Sequence, residues 1–285
     1  VTLRAHLRRS SELAAMARAA AEEILLDLPG AGRRATARLG GAELASAVRQ
    51  VAPAAASWGH LPALAGGGPA ALGGVLIELV GGEVRLVATD RYRLALRVLR
   101  PLALDGDPCR LVVTADGLRA AGTWALPLPE VEVVVDDAGA RLRAGEGVVP
   151  LPLLDTANPD HQEHPRAHAD YPDYRGMLAA LAAPRGRVVA DRLALRAAAA
   201  GPRPVTLRVR EGAITVDGTA VGGVVSGEPP SSVSFDPAVL LPALDASVGP
   251  DVLLELASEA APVVVRSADQ GSFTTLVMPV RVKEA

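Results

Sequence analysis

The side chains in this sequence best suited to chemistry are apolar and cationic rather than nucleophilic. They fall in three segments, Leu86–Ala95, Tyr171–Arg175 and Leu276–Val282. Leucine, methionine and proline side chains there, with Met177 close by, could wall a cavity for a leucine or phenylalanine of a bound peptide. Arg93 and Arg281 at the rim could hold a glutamine carbonyl or a carboxylate. Methionine adapts its shape, which suits a site with several partners. The alternative to this favoured reading is that they are ordinary inter-domain core residues. A second cluster is His161, His164 and His168, set among Asp160, Glu163 and Asp170. On a helix the three histidines would share a face and could bind zinc. Pro159 and Pro165 argue instead for an irregular, solvated loop, so no metal is expected. No Ser/His/Asp set, Walker-type loop or carboxylate pair stands out. Asp90, Asp136 and Asp137 sit where turns are predicted, and aspartate is a turn former. The expectation is a non-catalytic protein that needs no cofactor.

Composition narrows the class further. The chain has 285 residues, 49% of them hydrophobic, and a mean hydropathy of +0.25. That is enough for two domains with real cores. No apolar run approaches membrane-spanning length, and the charged N-terminal stretch is unlike a signal peptide, so a cytoplasmic protein is expected. Cys109 is the single cysteine. It excludes an internal disulfide and a cysteine-based zinc site, and a buried place at a strand start is predicted for it. The formal net charge of -3 argues against holding nucleic acid by bulk electrostatics. Lys283 is the only lysine, a bias that fits a GC-rich genome.

The elements that must position these residues follow from periodicity. Leu3, Leu7, Ser10, Ala14, Ala17, Ala21, Ile24 and Leu28 alternate spacings of four and three, the repeat of a weak coiled-coil seam. Residues 1–30 therefore read as an N-terminal helix stopped by Pro29-Gly30. Residues 31–40 are Gly- and Arg-rich and read as a linker. From Gly41 a helix-then-strands pattern occurs twice. The first unit, residues 41–169, opens with a helix over about Ala42–Ala56. Strands are predicted near Val75–Val80, Glu83–Ala88, Arg93–Leu99 and Arg110–Thr114, then a helix at Ala115–Ala121 and strands near Val131–Val135 and Ala140–Ala144. The second unit, residues 170–285, has a predicted helix over Val188–Ala200. Strands follow near Val205–Arg210, Ala213–Asp217, Val224–Ser226 and Ser232–Phe235, then a helix over Asp236–Ala246. The last strands are placed near Val252–Leu256, Val263–Arg266 and Phe273–Pro279. Two copies of one order imply an internally duplicated α+β fold.

The three segments, in this order and at these separations, resemble the bacterial sliding clamp, the beta subunit of DNA polymerase III. The resemblance covers about residues 41–282 and matches that family's second and third domains. It implies duplicated clamp domains, each with two helices packed on antiparallel sheets. It also implies a homo-oligomer, trimer or dimer, that encircles double-stranded DNA weakly and topologically. The implied partners are DNA polymerase and other proteins carrying a clamp-binding motif. Position by position, the implied peptide pocket is Leu72, Thr89, Arg91, Tyr92, Arg93, Leu94, Pro172, Met177, Leu276, Met278, Pro279, Val280 and Arg281. The implied DNA-facing residues are Arg49, Gln50, Arg192 and Arg196, on the first helix of each unit. A solvated helix face explains those four equally well.

Three departures from the family pattern bear on function. Arg91 stands where the family usually has glycine, and it could narrow the pocket or select an acidic peptide. Gly176 stands where a basic residue is common. Pro69-Ala70-Ala71 replaces DNA-touching aromatics of some clamps. The N-terminal helix is faintly similar to the dimerisation helix of MerR-type regulators. A clamp-derived peptide-binding module that dimerises without encircling DNA is therefore the alternative reading.

Overall fold

A computed structural model of the chain describes residues 34–56, 70–154, 171–201 and 204–282. The predicted N-terminal helix and the histidine-bearing stretch lie outside the described residues. Two compact units are present. Among the described residues, one comprises 34–56, 70–90, 96–154 and 171–172, and the other comprises 91–95, 173–201 and 204–282.

The first unit starts with β1 (Ala35–Gly40), then α1 (Gly41–Val51), β2 (Gly74–Val80), β3 (Glu83–Thr89) and β4 (Arg93–Leu99), of which residues 93–95 belong to the other unit. It continues with β5 (Ala103–Gly106), β6 (Cys109–Thr114), α2 (Ala115–Ala125), β7 (Glu130–Asp136), β8 (Gly139–Ala144) and β9 (Gly147–Leu151). One sheet has the order β5-β1-β7-β8-β9, and in the other the order β4-β3-β2-β6 is found. The paired strands given a register are antiparallel, with Thr36↔Val134 and Glu78↔Arg85 among the pairs. The two helices lie side by side. Gly41 is required there, because a Cβ on it would meet the Ala125 and Leu128 carbonyl oxygens at 2.2 and 2.3 Å. Leu44, Val48 and Val51 of α1 and Leu118 and Ala121 of α2 are buried, as the helical spacing requires.

The expected linker over 31–40 is corrected by β1. Ala35, Ala37 and Leu39 are buried while Thr36 and Arg38 alternate outward. That is a half-buried strand's period, hidden by the glycines that follow it.

The second unit contains α3 (Tyr174–Ala179), β10 (Gly186–Asp191), α4 (Arg192–Ala198), β11 (Val205–Arg210), β12 (Ala213–Val216), β13 (Thr219–Val221) and β14 (Gly223–Gly227). It ends with β15 (Ser232–Phe235), α5 (Pro237–Ala246), β16 (Asp251–Leu256), β17 (Val263–Ser267) and β18 (Phe273–Val277). The orders are β14-β10-β16-β17-β18 and β13-β12-β11-β15. Val188, Leu195, Leu207, Phe235, Leu240, Leu254 and Val277 share one core.

The helix expected over Val188–Ala200 is corrected to a strand followed by a helix. Val188 and Ala190 alternate inward on β10, where β-branched residues pack well. The Asp191 side chain then accepts the Ala194 N–H and caps α4, as an aspartate at that position does. The same strand–helix–strands order thus occurs twice, and the fold is α+β with antiparallel sheets and helices, as the duplication predicts.

Two features of the sheets matter later. On the β10–β16–β17 strands, buried Glu255 accepts from Arg187 Nε at 2.9 Å and lies 3.6 Å from Arg266 Nε. Burial lowers the Arg266 pKa, with Glu255 opposing that shift. In the first unit β9 is a sheet edge. A two-residue turn closes on a hydrogen-bonded pair, here Ala144↔Gly147. By alternation Arg141↔Pro150 is then a non-hydrogen-bonded pair, and the Pro150 nitrogen points off the sheet edge.

Candidate peptide-binding site

The turn between β3 and β4 is the first component. Thr89 and Asp90 are buried. Arg91 is exposed and takes the left-handed conformation, with φ at 76°. Glycine adopts that conformation without penalty, and arginine does not. Tyr92 follows, half-buried, and packs on the core of the second unit. Arg93 is half-buried and opens β4, and Leu94 is buried.

The C-terminal segment is the second component. After β18 the chain leaves regular structure and is held by two backbone bonds. Met278 N donates to Tyr92 O at 2.8 Å, and Val280 N donates to Ser234 O at 2.8 Å. Pro279 sits between them and has no N–H to satisfy, so its position costs no hydrogen bond. The bond from Met278 fixes the segment directly against the Arg91–Ala95 turn. Leu276 is buried beneath it. Pro279 and Val280 are half-buried and Arg281 is exposed. Met278 keeps 37% of its surface open, and Met177 on α3 keeps 41%. The helix α3 itself starts at Asp173, whose side chain accepts the Gly176 N–H.

The second unit therefore brings the Arg91–Leu94 turn and the Leu276–Arg281 segment together, and it also contains Met177. Leu72, Thr89 and Pro172 belong to the first unit. Leu72 is corrected as a contact residue. It is 1% exposed and packs with Ala56, so it has no surface to offer a peptide. Ser234, which anchors Val280, was not flagged by sequence reasoning, since nothing in the Ser232–Phe235 strand marks one carbonyl as special. Tyr171, beside Pro172, donates its hydroxyl to Val87 O at 2.9 Å within the first unit.

The four residues expected to face DNA have different fates. Arg49 is exposed near the end of α1. Gln50 is corrected, being 3% exposed and turned into the core. Arg192 donates to the Gly249 and Leu244 carbonyls at 2.8 and 3.4 Å. It thereby holds the C-terminal end of α5, where a cation is favoured. Arg196 makes a two-bond pair with Asp245 at 2.5 and 3.0 Å, and that pairing raises its pKa. Cys109 is buried at the start of β6, as predicted. Desolvation, helped by the charge of Asp107, pushes its thiol up to about 11. Among the described residues no group of three or more His, Cys, Asp or Glu side chains could hold a metal ion. Nor is any helix among them long and apolar enough to cross a membrane.

Duplicated antiparallel sheets with paired helices, and a C-terminal segment hydrogen-bonded to an inter-strand turn, define a clamp-type fold. Solved structures share it. The DNA polymerase III beta subunit of Thermotoga maritima is 19% identical, with a TM-score of 0.68, over 92% of this chain and 69% of that one. The sliding clamp of Pseudomonas aeruginosa, solved bound to griselimycin, is 20% identical, with a TM-score of 0.70, over 92% and 69%. The beta subunit from the DNA polymerase of Streptococcus pyogenes is 21% identical, with a TM-score of 0.69, over 92% and 69%. This chain thus has the sliding-clamp fold over about two thirds of the length of those proteins. No protein-family model and no curated protein matches the sequence.

Proposed function

We propose that this protein is a non-catalytic sliding-clamp homologue that tethers DNA-processing partners, a polymerase among them, by short linear peptides. The observation that carries the reading is the exposed Met278. It sits on a segment pinned by hydrogen bond to the carbonyl of Tyr92, which Arg91 and Arg93 flank in the sequence, within a clamp fold. An apolar surface with a charged rim is what a peptide with an apolar anchor and polar flanks requires. In this reading the chain forms a homo-oligomeric ring, and DNA is retained by enclosure rather than by affinity. The test is calorimetry with peptides carrying glutamine followed by leucine and a terminal phenylalanine, alongside retention on nicked circular against linear DNA. Micromolar peptide binding with salt-resistant retention on circles alone is expected. Absence of binding to a panel of such peptides would refute the site.

A second reading has its own support. It is a clamp-derived regulatory module that dimerises and binds peptides without encircling DNA. Pro150 blunts the β9 edge, because it presents no outward N–H and its ring obstructs an added strand. Arg192 and Arg196 are committed to partners inside their own unit, which thins the basic lining a ring needs. Light scattering separates the two, since a dimer that traps no circular DNA supports the module.

A further inference from the structure

We infer that the N-terminal segment, residues 1–33, docks on the β16–β17–β18 strands of its own chain, over the sheet face turned away from the helices, and does not pair with a second copy. The inference is independent of the peptide-binding reading. It starts from a buried face of the second unit. Val252, Leu254, Val265 and Val277 belong to the core that α4 and α5 close through Leu195, Leu240 and Leu244. By alternation Leu253, Glu255, Val264, Arg266 and Leu276 point the other way. The register gathers them into one patch, with Leu253 opposite Arg266, Glu255 opposite Val264 and Val264 opposite Leu276. An antiparallel sheet packed on one face commonly leaves the other to water. Here all five residues are at most 8% exposed. The same face opens at the sheet edge. Val224 of β14, in one cross-strand row with Val189 and Leu253, is 47% exposed. The cover therefore lies over β16–β18 and stops short of β14.

The unit's own described elements do not supply that cover. Helices α4 and α5 and the β13-β12-β11-β15 sheet are on the core side. Helix α3 has six residues, about 9 Å of helix against strands about 20 Å long. The tail beyond β18 is bonded to Tyr92 and Ser234. Outside the described residues three stretches are long enough, 1–33, 57–69 and 155–170. Residues 155–170 contain no Val, Leu, Ile, Met, Phe, Tyr or Trp. Residues 57–69 leave and re-enter the first unit, where Ala56 N donates to Leu72 O at 2.7 Å, and they include Gly66-Gly67-Gly68. Residues 1–33 carry the long apolar stripe. Its composition favours docking over pairing. A coiled-coil seam is narrow and built of large knobs. Here Ser10, Ala14, Ala17 and Ala21 hold the centre, while Leu13, Ala20 and Leu25 widen the stripe on its flanks. A wide stripe suits a helix packed on its own domain, and small residues at its centre let it lie close to a sheet. Two such helices would meet with little to interdigitate. Wound as a helix, residues 3–28 would be about 39 Å long, enough to follow the strands from end to end.

Disulfide trapping in the full chain tests this, in a Cys109→Ala background. Val264→Cys is combined in turn with Ser10→Cys, Ala14→Cys, Ala17→Cys and Ala21→Cys under mild oxidation. At least one pair is expected to close within a chain, at monomer mass on a non-reducing gel. Its yield should stay constant over about a tenfold range of protein concentration, as an intramolecular reaction requires. A second arm needs no assumed register. The single thiol of Val264→Cys should react with Ellman's reagent on the order of tenfold more slowly than in a chain that also carries Ala14→Asp and Ala17→Asp, which place charges in the stripe. A thermal melt establishes that each variant is folded. No bond within a chain at any of the four positions overturns the inference. Bonds that form only between chains overturn it too, since the segment then reaches a second copy. So does a Val264→Cys thiol that reacts at one rate in both folded chains, because the face is then covered by something other than residues 1–33.

Discussion

Truncating the two exposed methionines tests the site most directly, and its size can be worked out beforehand. Burying a whole methionine side chain contributes about 1.5–3 kcal/mol. Met278 has 37% of its surface still open and Met177 has 41%. A peptide covering either one therefore gains only about 0.6–1.2 kcal/mol from it. Met278→Ala alone should weaken binding by roughly 3- to 8-fold, and the double variant with Met177→Ala by about 2 kcal/mol, or some 30-fold, where both touch one peptide. The buried part of Met278 makes its truncation cost stability too, on the order of 1–2 kcal/mol. Calorimetry must therefore be run beside a thermal melt, at a temperature where both variants are folded. A folded double variant whose Kd stays within twofold of the parent would refute the assignment of the methionines to the contact surface. A loss from Met278→Ala alone would remove α3 from the site and leave the Tyr92–Met278 surface in it.

Other perturbations probe the frame. Glu255→Ala strips Arg266 of its buried counter-charge and should cost about 3 kcal/mol in urea unfolding; the pair Glu255→Met and Arg266→Leu should cost much less, and equal costs would show that the ion pair is unimportant. The Cys109 thiol is held up at about 11 by burial, so the folded state keeps its proton longer than the unfolded chain does. Its contribution is complete below about pH 9 and is lost as pH rises toward 11, roughly 2–3 kcal/mol in all, and Cys109→Ala should flatten that limb of the stability curve. Pro150→Val returns an outward N–H to the β9 edge, and light scattering should show self-association rising with concentration; a mass unchanged from the parent would mean that the edge is protected by something other than proline.

Strands that are either nearly continuous apolar runs or strict alternations between turn signals could be read from residue types alone. Glu83–Thr89, Arg93–Leu99 and Ser232–Phe235 lie within a residue of their predicted bounds; the first two are nearly continuous buried runs and the last keeps period two. Reading failed where two signals overlapped. In Gly186–Ala198 an apolar strand runs directly into an apolar helix, and only Asp191, as a cap, marks the junction. In Ala35–Gly40 small residues carry the buried positions, so alanine's weak strand preference and the nearby glycines masked the alternation. The short elements Ala103–Gly106, Gly147–Leu151, Thr219–Val221 and Tyr174–Ala179 were missed altogether, since strands of three to five residues and a helix of six repeat their period too few times to stand out from their flanks. The site was legible only through likeness to a family. The bond from Met278 to Tyr92 joins residues distant in sequence, and neither carries a local signal for the other. Sequence spacing could not reveal that Gln50 faces the core while Arg49 faces out, because adjacent helix positions differ by about 100°.

The helices bear on how such a protein could hold DNA at all. Helices α1, α2, α4 and α5 carry Arg49, Arg119, Arg192 and Arg196 against Glu43, Asp116 and Asp245. Arg119 pairs with Asp116 at 2.5 Å and also donates to the Ala52 carbonyl at 2.9 Å. With Arg192 and Arg196 committed as well, Arg49 is the one arginine of the four with no ion-pair or hydrogen-bond partner among the described residues. Phosphate affinity scales with the number of cations released to contact the backbone. Among the described helices, one such arginine contributes only a shallow salt dependence. In the ring reading, retention must therefore come from closure, since the charges of the described helices offer little else. The peptide site does not share that dependence. In the proposed site Met177, Met278, Arg91, Arg93 and Arg281 lie within a single unit, so on that reading partner binding would not depend on ring closure. That independence is why peptide affinity and DNA retention must be measured separately, and why only the second can decide between a clamp and a module derived from one.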